Sequence, residues 1–186
     1  LGAAPEFAIA FDYAGYTSDH YVWHKDLASG YYIRLNSNSS QASGSSYFPS
    51  SPATATTITL GTSISSGTQS HVALFSGVEG YSKFGKYQSS EPFIYLGFKP
   101  AFFMLKRIDN TGGWWVYDKK RDGYNVIPYL MTADSNSSES TGSSYNMDFL
   151  SNGVKFRNTS SASNGSGNTY IYAAFAESPF KHANAR

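Results

Sequence analysis

Residues 1–7 read LGAAPEF and residues 96–102 read LGFKPAF, so a leucine, a glycine, a proline and a phenylalanine recur in register. A longer stretch recurs too, since residues 37–47 (SNSSQASGSSY) are matched by residues 135–145 (SNSSESTGSSY). The offset grows from 95 residues at the prolines to 98 at the serine stretches, as insertions in surface loops would produce. The sequence therefore predicts a tandem duplication, in which residues kept in both copies serve a shared fold.

Short apolar and aromatic runs, separated by Ser, Asn, Thr and Gly, predict an all-β protein. The predicted strands are residues 7–11, 21–24, 31–35, 57–60 and 71–75 in the first copy, and residues 102–108, 114–118, 129–132, 147–150, 154–157 and 170–175 in the second. No helix is predicted, because Pro179 interrupts the longest candidate. The predicted fold class is two tandem antiparallel β-sandwich repeats, of jelly-roll or lectin-like type, related by internal duplication.

The seam between the copies is predicted near residue 80, which gives a first repeat over residues 1–79 and a second over residues 80–186. An extended segment at residues 81–87 leads into the second repeat, and its counterpart in the first would lie upstream of Leu1. The strand at residues 7–11, or its neighbour, should then present an open edge for upstream chain or a neighbouring subunit to fill. Pro5 and Pro100 should hold equivalent edge or pre-strand positions.

Composition excludes several partners. The net charge is +1, with 15% charged residues and no run of basic side chains, which argues against nucleic acid and anionic membranes. No segment approaches the roughly 20 apolar residues of a membrane span. The chain has no cysteine, so it forms neither disulfides nor thiolate sites.

Candidate catalytic and metal-binding residues are few. His20 and His24 stand four apart, which suits zinc on a helix, but in a strand this spacing separates their Cα atoms by roughly 13 Å. Asp118 and Asp122 could form a carboxylate pair for glycoside hydrolysis, but they are better explained as a charged turn with one of them paired to Arg121. No enzyme activity, metal or cofactor is predicted.

Aromatic side chains are better candidates for binding. Trp114 and Trp115 are adjacent, so in a strand they face opposite sides, and one indole should be exposed or half-exposed. Trp114 with Asp122, Tyr124 and Asn125 would offer a sugar a flat ring and polar groups. The predicted ligand-binding residues are Trp114, Asp122, Tyr124, Asn125 and Trp23. The alternative is that these aromatics are core or cross-strand pairs. The serine stretches, residues 36–46 and 134–144, are either solvated connections or receptor-reading tips.

Three segments carry a resemblance to a known family. Residues 80–87 (GYSKFGKY), 92–107 (PFIYLGFKPAFFMLKR) and 167–181 (GNTYIYAAFAESPFK) look like a repeat region at the C-terminal end of tail-fibre and other tail-associated proteins of tailed bacteriophages. The chain departs from that pattern at residues 87–91, where the family tends to have a turn rich in Gly and Asn. The resemblance implies an extracellular virion protein at the distal end of a fibre, as a homotrimer, and supplies no catalytic or ligand residues.

Two functions remain open. The first is non-catalytic recognition of the host cell, through a bacterial surface glycan or outer-surface protein. The second is a purely structural module that caps, spaces or trimerises the fibre. A surface-polysaccharide depolymerase is disfavoured, because the sequence lacks a credible carboxylate pair.

Overall fold

The chain is an assembly of antiparallel strands. The computed structural model describes residues 2–12, 19–50, 53–65, 70–89, 92–121 and 124–178. Within them the only helical elements are two single turns, α1 (Thr62–Ser65) and a 3-10 turn (Ser143–Tyr145). The all-β prediction is confirmed, with the strands arranged in three sheets. No helix in this part of the chain has the length and apolar character needed to cross a membrane.

The first half of the chain contributes one sheet of five strands. In chain order these are β1 (Phe7–Asp12), β2 (His20–His24), β3 (Tyr31–Arg34), β4 (Ala42–Ser43) and β5 (Ser70–Phe75). Their spatial order is β4-β3-β2-β1-β5. Central strand β1 begins with five apolar residues in succession, the pattern of a strand that is buried on both faces.

The second half contributes two sheets. In chain order its strands are β6 (Ser82–Gln88), β7 (Phe93–Tyr95), β8 (Pro100–Arg107), β9 (Trp114–Asp118), β10 (Tyr129–Thr132), β11 (Ser140–Thr141), β12 (Met147–Leu150), β13 (Gly153–Phe156) and β14 (Thr169–Ala176). Six of them form a sheet in the order β11-β10-β9-β8-β14-β6, and the other three form a sheet in the order β12-β13-β7. The hairpin between β12 and β13 turns at Ser151 and Asn152.

The five-stranded sheet and five strands of the six-stranded sheet are built alike. Each strand of the order β4-β3-β2-β1-β5 has a counterpart in the order β11-β10-β9-β8-β14. The registers coincide as well: aligned residues are Phe7, His24 and Phe75 in one sheet, and Phe102, Asp118 and Phe175 in the other. The six-stranded sheet has one strand more, because β6 pairs with β14 on the side away from β8.

Three apolar layers hold the stack together. The layer between the two large sheets, here called the inter-sheet layer, contains Phe7, Val22 and Phe84 among others. A second layer lies between the six-stranded and three-stranded sheets, around Phe103 and Tyr117. The third covers the far face of the first sheet, where residues 47–50 and 53–64 supply buried side chains such as Phe48. Both faces of each large sheet are therefore covered.

Several predicted local features are found. Residues 82–88 form β6, which pairs with β14, and the pairing Val78 with Ser82 only closes the turn before it. Among the described strands, β5, the neighbour of residues 7–11, pairs with β1 alone, as the prediction of an open edge requires. Pro5 precedes β1 and Pro100 is the first residue of β8, as predicted.

One local prediction is wrong. Residues 57–60 form no strand, because the Thr54 side chain accepts bonds from the backbone N–H groups of Thr56 and Thr57, and only Ile58 bridges to Ala53. Such local bonds compete with a sheet ladder. No residue of the serine stretches, 36–46 and 134–144, is buried, and each stretch contributes a two-residue strand, β4 or β11. In the first stretch the Asn38 carbonyl also accepts a bond from the Gly112 N–H of the second half.

Candidate functional site

The predicted exposed indole is wrong. Trp114 is 2% exposed and Trp115 is 7% exposed, because sheets cover both faces of β9. The Trp114 side chain enters the inter-sheet layer, where its Nε1–H donates to the Arg34 carbonyl at 2.7 Å. Neither ring offers a flat surface to a ligand.

The other predicted binding residues are not brought together into one site. Trp23 is half-buried on the far face of the first sheet. The Asn125 amide is occupied within the fold, since it donates to the Phe149 carbonyl and accepts from the Phe149 N–H, both at 3.0 Å. Tyr124 is 85% exposed, and Asp122 lies outside the described residues.

The candidate catalytic and metal positions have structural partners. One carboxylate oxygen of Asp118 accepts from the Lys120 N–H, and Arg121 is paired with Glu139 rather than Asp118. His20 and His24 lie at opposite ends of strand β2. Among the described side chains, no three His, Asp or Glu converge in a way that could hold a metal ion.

A cleft of about 430 Å³ lies where the two halves of the chain meet. Its walls are the connection at residues 77–80, the start of β6, the segment at residues 95–98, and the side chains of Glu6 and Lys25. Tyr95 stands at its edge with 60% of its surface exposed. We name this feature the Tyr95 cleft.

Strand β7 sets the position of Tyr95. Ile94 is buried under the three-stranded sheet, so its neighbour Tyr95 must point the opposite way, to the surface. Pairing with Gly153 fixes the register of Tyr95, and the Leu96 N–H donates to the Asn152 carbonyl at 2.8 Å. Gly97 then turns the chain with φ +86°, a conformation that favours glycine.

Charged groups surround the exposed ring. The Lys83 ammonium lies 5.3 Å from the centroid of the Tyr95 ring and donates to the Tyr95 carbonyl at 2.7 Å. This geometry is a cation–π contact that holds both side chains. Glu6 forms an ion pair with Lys25 at 2.7 Å and packs against Gly77, where a Cβ would lie 2.8 Å from Glu6 Oε1.

This arrangement suits recognition of a small polyhydroxylated group. A sugar ring has an apolar C–H face, which can lie on an exposed aromatic ring, and a rim of hydroxyls. Lysine ammonium groups donate hydrogen bonds to such hydroxyls and carboxylates accept them. A concave site with one aromatic surface and a few placed polar groups is the usual form of a small-molecule site.

Comparison with known proteins assigns a family. A family described as a domain of unknown function, DUF7483, matches residues 1–179. The chain belongs to the DUF7483 family. No curated protein and no solved structure matches it.

A second cleft, of about 480 Å³, separates the two halves of this DUF7483 chain elsewhere. Two polar side chains in its walls have partners: Asp109 pairs with Arg107 and accepts from the Thr169 N–H, and Gln41 accepts from the Ala28 N–H. Its rim has no exposed aromatic side chain to match Tyr95. The Tyr95 cleft is therefore the better candidate in the described DUF7483 structure.

Two basic side chains are buried between the large sheets of the DUF7483 chain. The His24 ring lies 3.3 Å from the Tyr172 carbonyl and accepts from the Asp26 N–H, and burial lowers its pKa to about 4. The Lys106 ammonium donates to the Asn38 and Arg107 carbonyls, and burial lowers its pKa to about 8. Both groups join the halves of the chain rather than line the Tyr95 cleft.

Sequence reasoning missed Tyr95, Lys83 and Lys25 in this DUF7483 chain. The sequence around Tyr95 does not distinguish it from the other tyrosines, because its exposure depends on how the three-stranded sheet packs. The alternation of Phe93, Ile94 and Tyr95 signals only that Ile94 and Tyr95 face opposite ways.

Proposed function

We propose that this chain is a non-catalytic receptor-binding module at the distal end of a bacteriophage tail fibre, and that it recognises a bacterial surface glycan. The observation that carries the proposal is the exposed Tyr95 ring, held beside charged side chains in a cleft. The resemblance of residues 80–87, 92–107 and 167–181 to phage tail-associated repeats supports the virion setting. An outer-surface protein is the alternative receptor class.

In the proposed complex a sugar ring lies on Tyr95. Lys83 stays beside the ring and donates to hydroxyls, while the Glu6 carboxylate accepts from them. Binding forms and breaks no covalent bond. Each contact is modest, so affinity would come from several modules acting together, as a homotrimeric fibre would provide.

The proposal includes an origin by tandem duplication. Five strands of each large sheet share their order and register, and the serine stretches make the same local bonds. Ser37 Oγ lies 2.9 Å from Ser39 Oγ, and Ser135 Oγ lies 2.7 Å from Ser137 Oγ. The first repeat has no counterpart of the three-stranded sheet among the described strands. On this view, only the second repeat carries the sheet that presents Tyr95.

Binding assays can test this function. The purified chain should adsorb to host cells, reduce phage attachment and bind fragments of the host glycan in calorimetry. Tyr95→Ala should weaken glycan binding by about tenfold or more without loss of folding, because Tyr95 is mostly exposed. Tyr124→Ala is the matched control, an exposed tyrosine outside the cleft. Equal binding by the wild-type and Tyr95→Ala chains would refute the site.

A purely structural role is the second candidate. It is favoured by the open edge of β5, which could contact another subunit. On this hypothesis the chain caps, spaces or trimerises the fibre and binds no glycan. A fibre that lacks the module would then fail to trimerise, whereas loss of receptor binding alone would leave the trimer intact in sedimentation.

A further inference from the structure

Equivalent strands β5 and β14 have different surroundings. Strand β14 is paired on both sides, with β8 and with β6. Strand β5 is paired with β1, and no described strand lies along its other side. An edge of this kind presents backbone N–H and C=O groups that can accept a further strand.

Register relates the two edges residue by residue. Phe75 aligns with Phe175, because Phe75 pairs with Phe7 of β1 and Phe175 pairs with Phe102, the aligned residue of β8. Ile171, four positions earlier in β14, pairs with Lys86 of β6. The aligned position in β5 is His71, which is exposed.

Phe84 of β6 shows what an added strand contributes. Its ring stacks on Phe7 with centroids 5.7 Å apart and an interplanar angle of 7°, and it also contacts Phe75 and Phe175. Phe7 is 3% exposed as a result. Phe102 occupies the position aligned with Phe7, yet it remains half-buried at the border of the inter-sheet layer.

Both large sheets contribute aligned positions to the inter-sheet layer. The aligned pairs are Phe7 and Phe102, Ile9 and Met104, Val22 and Val116, Ile33 and Met131, and Phe75 and Phe175. A strand on β5 would therefore bring its aromatic residue to Phe102, as β6 brings Phe84 to Phe7. It would extend an apolar layer that already joins the sheets.

We propose that the outer edge of β5 is a docking site for an extended peptide segment with the residue pattern of β6. The segment runs antiparallel to β5, and its aromatic residue at the position of Phe84 covers Phe102. Backbone bonds supply the pairing, and the aromatic residue supplies specificity. The site is independent of the Tyr95 cleft and of glycan binding.

Cross-linking can test the site and its register. The natural chain has no cysteine, so a His71→Cys chain carries one thiol. A synthetic peptide of residues 80–89 (GYSKFGKYQS) with Lys86→Cys should form a disulfide with it under mild oxidation. The same peptide with Lys83→Cys instead should react at least tenfold more slowly, because residue 83 faces the other side of the strand, out of register with His71. Equal reaction by both peptides would overturn the proposal.

Hydrogen exchange of the unmodified chain tests peptide binding at β5 independently of the cross-linking. The wild-type peptide should protect the amides of residues 70–75, and Phe84→Ala in the peptide should weaken its binding by about tenfold or more. Loss of protection in β6 would mean that the peptide displaces β6 from β14, which overturns the proposal. Protection of β5 that rises with protein concentration in the absence of peptide would show a second copy as the occupant, and would overturn it as well.

Discussion

The rings of Phe75 and Phe175 contact each other across the layer between the two large sheets, with centroids 6.1 Å apart and an interplanar angle of 70°. These residues occupy aligned positions in their sheets. The sheets therefore pack through the same face, and the contact between Phe7 and Phe75 has an aligned contact between Phe102 and Phe175. Differences between aligned positions show where that correspondence ends.

Phe7 and Phe102 form one such pair, and their truncation should have unequal effects. Phe7→Ala should lower the free energy of unfolding by about 3 to 5 kcal/mol, since it leaves a cavity beside Phe84 and Phe75. Phe102→Ala should lower it by roughly half as much, because Phe102 is only half-buried. Urea unfolding of both variants measures the difference. Equal losses would mean that Phe102 is as well covered as Phe7.

Tryptophan fluorescence should report burial. Two of the three tryptophans, Trp114 and Trp115, are buried and Trp23 is half-buried. Emission of the native chain should be shifted to the blue of free tryptophan, and iodide should quench it weakly. Trp23→Phe should remove most of the quenchable component. Strong iodide quenching in the Trp23→Phe chain would contradict the burial of the pair in β9.

The sequence could have revealed the burial of Trp114. Trp114, Trp115, Val116 and Tyr117 are four large apolar or aromatic residues in succession, and a run of this kind is typical of a strand covered on both faces. The prediction of an exposed indole assumed a two-sheet sandwich, in which one face of each sheet is solvated. Here three sheets and residues 47–50 and 53–64 cover both faces of the large sheets.

Strands with clear flanking turns were predictable, and the Tyr95 cleft was not. Repetition of the residues around Pro5 and Pro100 indicated β1 and β8, because local patterning determines strand formation. The cleft is formed by Glu6 and Lys25 from one half of the chain and Lys83 and Tyr95 from the other. Their proximity depends on tertiary packing, which the periodicity of apolar residues along the sequence does not predict. The strand predicted at residues 57–60 failed for a local reason, the side-chain bonds of Thr54.

Gly153 should be needed for the three-stranded sheet. A Cβ at this position would lie 2.1 Å from the Ile94 carbonyl oxygen, which is backbone and cannot rotate away. Gly153→Ala should therefore separate β13 from β7, lower the free energy of unfolding by about 2 kcal/mol or more, and displace Tyr95. Gly80→Ala is a control, because its Cβ would meet nothing and only the φ of +77° is unfavourable, at about 1 kcal/mol. A Gly153→Ala chain as stable as Gly80→Ala would refute this role.

The free energy of unfolding should decrease as the pH is lowered, because His24 takes up a proton more readily in the unfolded chain than in the folded one. Burial is the main cause that lowers its pKa from 6.5 to about 4, and Lys25 and Lys86 lower it further, whereas the bond to the Tyr172 carbonyl and the nearby Glu6 raise it. Between pH 6.5 and 4 the unfolded chain binds a proton on this histidine and the folded chain does not. The contribution of neutral His24 to the free energy of unfolding is therefore complete above pH 6.5. It is lost as the pH falls towards 4, by an amount on the order of 3 kcal/mol.

Replacing this histidine should flatten that pH dependence. Urea unfolding between pH 7 and 5 should show a smaller decline for His24→Gln than for the wild-type chain, whatever the absolute stability of the variant. His71→Gln is the matched control, since His71 is exposed on β5. Because carboxylates also titrate below pH 5, the comparison rests on the slope above that pH. Parallel slopes for all three chains would show that His24 is protonated in the folded state as readily as in the unfolded one, and that the bond to Tyr172 does not depend on its neutral form.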